Sequence, residues 1–331
     1  MEPMRPKLTD VAKKAGVSVT TVSRVINDYG YKTRDKVFAA MEELNYQPNS
    51  LARSLHGKST NLVGLIFPAV TNPFFAELVE KIEQKLFSEG YKVILCNAGS
   101  DKEKEREYLK MLLANQVDGI IAGAHNLGID EYNRVGLPIV SFDRKLSEQI
   151  PIVSCDNYAG GKLAVQELYN AGARHIYFLG NPHQQGNPTD QRLAGYCDTL
   201  ETYGLSRHIH TVSFSESPSL KLFSIKRLLQ ESVADGIVCT DDLTALLVLQ
   251  AAKELAIKVP EQLKVTGFDG TTQIQLYHPE LSTIVQPISD IAELLVEVLK
   301  ARIKQPTEPL KQMQYKLPVT FLQRNSTSRS N

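Results

Sequence analysis

From Leu62 to Lys304, short apolar runs alternate with amphipathic ones, and this alternation limits the fold more than any other feature of the chain. LVGLIF (62–67), Lys92–Cys96, GIIAG (119–123), PIVSFD (138–143), HIYFLG (175–180), HTVSF (210–214), GIVCT (236–240) and KVTGFD (264–269) read as strands. Helical periodicity fills the gaps over Asn72–Phe87, Asp101–Asn115, Tyr158–Ala171, Gln191–Tyr203, Leu220–Ser232 and Asp242–Leu255. TIVQP (283–287) precedes a last long helix, Ile288–Lys304. Apolar strands separated by helices imply parallel sheets covered on both faces. The strands are too many for one small doubly wound domain, so two lobes are expected. Several strands run out into turn or polar residues: Phe67-Pro68, Asp143-Arg144, Thr240-Asp241 and Phe268-Asp269. Ligands of open parallel sheets bind beyond the carboxyl ends of strands. Two lobes facing each other would put these ends around one cleft.

The N-terminal segment follows a different rule. In LTDVAKKAGVSVTTVSRVIN (8–27), Leu8, Val11, Ala12 and Ala15 share one helical face. Gly16 can close that helix in a left-handed conformation. Ser18 or Thr20 can cap a second helix, with Val22, Val25 and Ile26 inward. Two helices joined by a Gly turn match the helix-turn-helix unit, whose second helix enters the DNA major groove. That helix leaves Thr20, Thr21, Ser23 and Arg24 outside, hydroxyls for phosphates or bases and a guanidinium fork that matches guanine. Thr33–Leu44 reads as a third helix, with Val37, Ala40, Met41 and Leu44 inward and Tyr46 and Pro48 stopping it. NSLARSLHG (49–57) is a marginal helix of about two turns, which needs a partner copy and DNA to form, since isolated helices are unstable below roughly 12 residues. Leu55 is then a candidate wedge in the minor groove; a polar linker carrying two leucines is the alternative.

Charge distribution agrees with this division. The chain of 331 residues is neutral overall, with 37 basic and 37 acidic side chains. Residues 1–60 hold ten Lys or Arg and six Asp or Glu, leaving 27 and 31 for the rest. A basic end on an acidic body suits nucleic-acid contact at that end. MEPMRPKLTD has no apolar run behind its basic residues, so a secretory signal is not expected. No stretch approaches the roughly 20 apolar residues of a membrane span, and a cytoplasmic protein without a membrane partner is expected. Cys96, Cys155, Cys197 and Cys239 form no CxxC, so packed thiols are expected and no metal. No GxGxxG follows the first strand and no P-loop occurs, so neither a cofactor nor an enzyme is expected.

LTDVAKKAGVSVTTVSRVIN, ELNYQPNSLARSLHGK, LVGLIFPAVTNPFF, QVDGII, RLAGY, TDDLTAL, VPEQLKVTGFDG and LSTIVQP resemble, in order, the motifs of the lactose-repressor (LacI/GalR) family of transcription regulators. IFPAVTNPFF and the general run of the chain are most similar to the branch that controls sucrose operons in Gram-positive bacteria. The resemblance covers nearly the whole chain. It implies a small all-α helix-turn-helix head (1–48), a hinge helix and linker (49–60), and an α/β core of two doubly wound, parallel-sheet lobes like a periplasmic sugar-binding protein (61–331). The N-lobe is expected at about 61–157 and 287–317, the C-lobe at about 158–286 and 318–331, with crossings near Asn157, Gln286 and Leu317.

The resemblance also implies a repressor that binds a pseudo-palindromic double-stranded DNA operator as a homodimer, with a sugar or sugar phosphate as effector. Val19, Thr20 and Arg24 match base-reading positions. Thr9, Ser18, Thr21, Ser23 and Asn27 match positions near phosphates, and Leu55 the minor-groove lever, with Asn49, Ala52 and Arg53 around it. Effector positions carry over to Asn72, Phe74, Phe75, Asp143, Arg192, Asp241 and Asp269, and Arg144 adds a planar donor fork. Turn, capping or ion-pair roles compete at Asp143, Arg144, Arg192, Asp241 and Asp269, and core packing at Phe74 and Phe75. One departure is the loop from Asn27 to Thr33, shorter than the family's connection and without its Ser cap. A catabolite-type global regulator with a phosphoprotein co-effector and a sugar-binding transport protein are the alternatives.

Overall fold

A computed structural model describes residues 6–26, 33–47, 59–181 except 125, 127 and 135, and 190–328 except 307, 309 and 311. The head consists of α1 (Leu8–Ala15), α2 (Val19–Ile26) and α3 (Arg34–Glu43). The Asp10 carboxylate accepts the Lys7 N–H at 2.7 Å. Gly16 closes α1 at φ +66°, where a side chain would be strained. Ser18 is the cap of α2: its Oγ accepts from the Thr21 N–H at 3.1 Å. Val11, Ala12, Val22, Val25, Val37, Ala40 and Met41 bury against one another as the small core.

The first sheet contains β1 (Leu62–Phe67), β2 (Lys92–Asn97), β3 (Gly119–Ala122), β4 (Ile139–Phe142), β5 (Ile152–Cys155) and β11 (Gln314–Leu317). Its order is β11-β5-β4-β3-β1-β2, every pair parallel. Helices α4 (Pro73–Ser88), α5 (Lys102–Ala114) and α11 (Ile288–Lys304) cover it. The second sheet contains β6 (Ile176–Gly180), β7 (His208–Thr211), β8 (Gly236–Cys239), β9 (Lys264–Asp269), β10 (Ser282–Val285) and β12 (Thr320–Leu322). Its order is β12-β10-β9-β8-β6-β7, with β12 alone antiparallel. Around it lie α6 (Asn157–Asn170), α7 (Gln191–Thr202), α8 (Pro218–Glu231), α9 (Asp242–Glu254) and the short α10 (Thr272–Tyr277). The chain passes between sheets after Cys155, after Val285 and after Leu317. One apolar cluster runs through both lobes, from Val63, Phe67 and Phe142 to Phe178, Tyr196 and Phe268.

The structure corrects the sequence reading in places. The strand expected at 210–214 is His208–Thr211, because pairing with β6 starts at Tyr177↔His208. Val212, with its side chain buried, lies past its end. Strands β5, β11 and β12 and helix α10 are additions. β11 and β12 are short and half-exposed, so neither alternation nor an apolar run announces them. The stretch after β12 is also bound: Ser326 Oγ donates to the Val265 carbonyl at 2.6 Å and accepts from the Ser282 N–H at 2.8 Å.

Candidate functional site

On α2, Val19 and Thr20 are exposed in the first turn and Arg24 in the last. Thr20 and Arg24 are four residues apart and therefore share a face, opposite the buried Val22 and Val25. Thr9 is exposed on α1; Thr21 and Ser23 are half-buried. The Ser18 hydroxyl lies 2.8 Å from that of Thr21, besides capping the helix. Asn27, Asn49, Ala52, Arg53 and Leu55, and the loop 28–32, lie outside the described residues.

In the core, the carboxyl ends of both sheets meet at one cleft with ≈ 800 Å³ of non-protein space, open in part to solvent. The first lobe contributes Asn72, Phe74, Phe75, Gly123, Phe142, Asp143 and Arg144. The second contributes Phe178, Asn181, Asp190, Arg192, Leu193, Phe214, Thr240, Asp241 and Asp269, with Gln286 on a crossing segment. All eight effector candidates therefore line one cavity, although they span 198 positions of sequence.

Several are held by bonds of their own. Asn72 Oδ1 caps α4 through the Phe74 N–H at 2.9 Å. Phe74 packs tilted on Phe142 at 5.6 Å and edge-on to Phe75 at 5.4 Å, giving the cleft an aromatic wall. Asp241 caps α9, accepting from the Thr244 N–H and hydroxyl at 2.8 Å each.

Arg192, Asp143 and Asn157 form a buried network across the lobes. Arg192 Nε donates to Asn157 Oδ1 at 2.7 Å, and Asn157 Nδ2 donates to Asp143 Oδ1 at 2.8 Å. Arg192 Nη1 donates to the Thr240 carbonyl at 2.6 Å, and its guanidinium lies 3.5 Å from the Phe268 ring centroid. Its Nη2 is 4.0 Å from Asp143 Oδ2. Arg144 Nη1 donates to the Asp143 carbonyl at 2.6 Å. Burial pulls the Arg144 guanidinium below its ordinary pKa, against the opposing Asp143 carboxylate.

Asp143 and Asp269 leave their strands at φ +54° and +122°. These are conformations that cost about 1–3 kcal/mol at a non-glycine residue and persist where the surroundings over-determine them. Burial pushes the Asp269 carboxyl well above its usual range, with Asp242 and Asp241 adding to the effect and Arg192 opposing it. Gln286 Nε2 donates to Asp269 Oδ1 at 2.8 Å, while its buried Oε1 has no partner. Carboxyl groups, the Gln286 amide and guanidinium forks thus offer both donors and acceptors, as a polyol requires, and the phenylalanines offer apolar faces.

Asn157, Gln286, Thr240 and the aromatic lining beyond Phe74 and Phe75 were not among the expected site residues. Asn157 and Gln286 were expected as crossing points between the lobes, but as side chains they stand out in the sequence only as polar residues just past apolar strands. The four cysteines are free, and burial pushes each thiol above its ordinary pKa. Among the described residues no group of His, Cys, Asp and Glu could hold a metal ion, and no helix is long and apolar enough to cross a membrane.

Comparison with known proteins places this geometry. Residues 7–49 match the model of bacterial regulatory proteins of the lacI family, and residues 165–327 that of a periplasmic binding protein-like domain. The sucrose operon repressor of Pediococcus pentosaceus is 55% identical over 322 residues, 96% of this chain and 98% of the relative. A lac repressor dimer bound to operator and the anti-inducer ONPF superposes with a TM-score of 0.81 at 27% identity, covering 97% of this chain and 99% of that one. The cellobiose complex of the transcriptional regulator CelR gives 0.73 at 27% identity, over 97% and 100%. A helix-turn-helix head joined to a two-lobed, cleft-bearing core, over the full length of such relatives, makes this chain a member of the LacI family of bacterial transcription regulators.

Proposed function

We propose that this regulator is a sugar-responsive repressor of genes for sucrose uptake and use. It binds a pseudo-palindromic operator as a homodimer in the bacterial cytoplasm and carries its effector in the interlobe cleft. The observation that carries the effector reading is the cleft's mixed donor and acceptor lining beside an aromatic wall; the likeness to a sucrose operon repressor supports the choice of sugar.

Phosphate contacts from Thr9, Ser18, Thr21, Ser23 and Asn27 give sequence-independent affinity, and Val19, Thr20 and Arg24 read bases. Residues 49–57, with Leu55 as wedge and Asn49, Ala52 and Arg53 beside it, order on DNA between the two copies. A sugar touching Asp143, Arg192 and Asp269 favours one lobe arrangement and so biases that ordering. A shift of about 100-fold in operator affinity needs only ~3 kcal/mol of differential binding.

A second reading, a sugar phosphate, is favoured by the two guanidinium groups of Arg144 and Arg192 in one cleft. Titration calorimetry with sucrose and with its phosphate distinguishes them: binding of the phosphate alone overturns the free-sugar reading. Fluorescence anisotropy of a labelled operator, with each ligand added in turn, reads the response directly. A response that appears only with an added phosphoprotein would make the chain a catabolite-type regulator instead.

A further inference from the structure

The two lobes are also tied together outside the cleft network. Glu77 lies one turn into α4, three residues beyond the cleft-lining Phe74. Thr272 opens α10, three residues beyond Asp269. The Thr272 N–H donates to Glu77 Oε2 at 2.8 Å and its hydroxyl to Oε1 at 2.9 Å. Both oxygens of one carboxylate, from one lobe, thus take donors from a single residue of the other, 195 positions away.

We propose that Glu77 and Thr272 form an interlobe latch that holds the lobes in the effector-competent arrangement. An exposed carboxylate bond usually adds little to folding, because either partner can turn to water. This one differs in what it competes with. It forms only when the lobes are placed as described, so its full worth enters the lobe equilibrium. Its ends are also rigid. The Thr271 hydroxyl, in a buried side chain, accepts from the Ile274 N–H at 3.3 Å, and Gln275 Nε2 donates to the Gly270 carbonyl at 2.7 Å. These bonds fix the start of α10 to the end of β9 and thereby to Asp269. On the other side, α4 carries Phe74 and Phe75. A ligand between Phe74 and Asp269 therefore presses on the segments that bear the latch. Residues of both lobes line one cleft in this arrangement, so the latch and the ligand favour the same state.

The consequence for effector affinity rests on the sugar reading above; the latch itself does not. Removing a charge-assisted pair at this exposure shifts the lobe equilibrium about fivefold. The test uses full-length chain with Glu77→Ala, Thr272→Ala and the double variant. Amide hydrogen exchange across 270–277 reports the latch without any ligand and is expected to quicken about fivefold in Glu77→Ala. Sucrose is expected to bind about fivefold more weakly to each single variant, and the double variant to lose no more than one of them. Unchanged exchange in Glu77→Ala, or additive losses in the double variant, overturns the latch. Should sucrose fail to bind the unaltered chain while exchange still quickens, the sugar reading fails and the latch stands.

Discussion

Asn157 is the residue on which the cleft network turns, and replacing it with Ala gives a calculable loss. The side chain is buried and bridges Arg192 Nε at 2.7 Å to Asp143 Oδ1 at 2.8 Å. Asn157→Ala removes two hydrogen bonds to charged groups, each worth about 1.5–3 kcal/mol, or ~3–6 together. One compensation is open. Arg192 Nη2 and Asp143 Oδ2, now 4.0 Å apart, can close to hydrogen-bonding distance. At an effective dielectric constant of about 20, moving two unit charges from 4.0 to ~2.8 Å gains ~2 kcal/mol. The expected net cost is therefore ~1–4 kcal/mol. Equilibrium urea unfolding should show it as a lowered midpoint with an unchanged slope. Movement of Arg192 toward Asp143 also withdraws it from Thr240 and Phe268, so sugar affinity measured by calorimetry should fall about tenfold, ~1.4 kcal/mol. A variant within ~0.5 kcal/mol of the parent that binds sugar unchanged would refute the reasoning, because it would mean Arg192 and Asp143 need no bridge.

Three further outcomes follow from other parts of the molecule. A Cβ added at Gly161 would lie 2.1 Å from the Arg192 carbonyl oxygen; Gly161→Ala should push α6 and α7 apart and lower stability by about 1–3 kcal/mol despite better helix propensity, as read by thermal unfolding. Arg24→Ala should cost roughly 1–3 kcal/mol of operator binding and relax the preference at one base position, measured by anisotropy against single-base operator variants; equal loss on all sequences would assign Arg24 to a phosphate instead. Burial pushes the Asp242 carboxyl up to about 7, against hydrogen bonds from Thr283 and Gly270. The native chain then holds a proton that the unfolded chain releases near pH ~4, so this group's contribution to stability falls as pH rises from ~4 toward the raised value. Asp242→Asn should flatten that slope in urea unfolding series at pH 5 and 8, and an unaltered slope would contradict it.

How much of this was legible beforehand depends on the range of the forces involved. The head was readable because its rules are local. Val11, Ala12, Val22 and Val25 recur at helical spacing, Gly16 supplies a left-handed φ, and Ser18 bonds a backbone N–H three residues on. The lobes were readable for a related reason: strands buried on both faces run nearly unbroken in apolar residues, as LVGLIF does. Strand ends pointed to the region of the cleft, since parallel sheets place their carboxyl ends on one side.

What the sequence could not supply was the pairing of distant side chains. Nothing local distinguishes Asn157 from any other polar residue at a helix start; only folding brings it between Asp143 and Arg192, 14 and 35 positions away. Asp241 and Asp242 look alike in the chain. The structure separates them: Asp241 caps a helix at the cleft, while Asp242 turns into the protein toward Thr283 and Gly270. β11 and β12 are too short to announce themselves, and only the tertiary structure shows that they pair with β5 and β10 at the sheet edges. The bond from Glu77 to Thr272 depends on the placement of whole lobes and was beyond any reading of spacing. Periodicity and capping are short-range and are written in the residues themselves. Hydrogen bonds across a cleft are decided by which surfaces the buried core brings together, and that belongs to the tertiary structure alone.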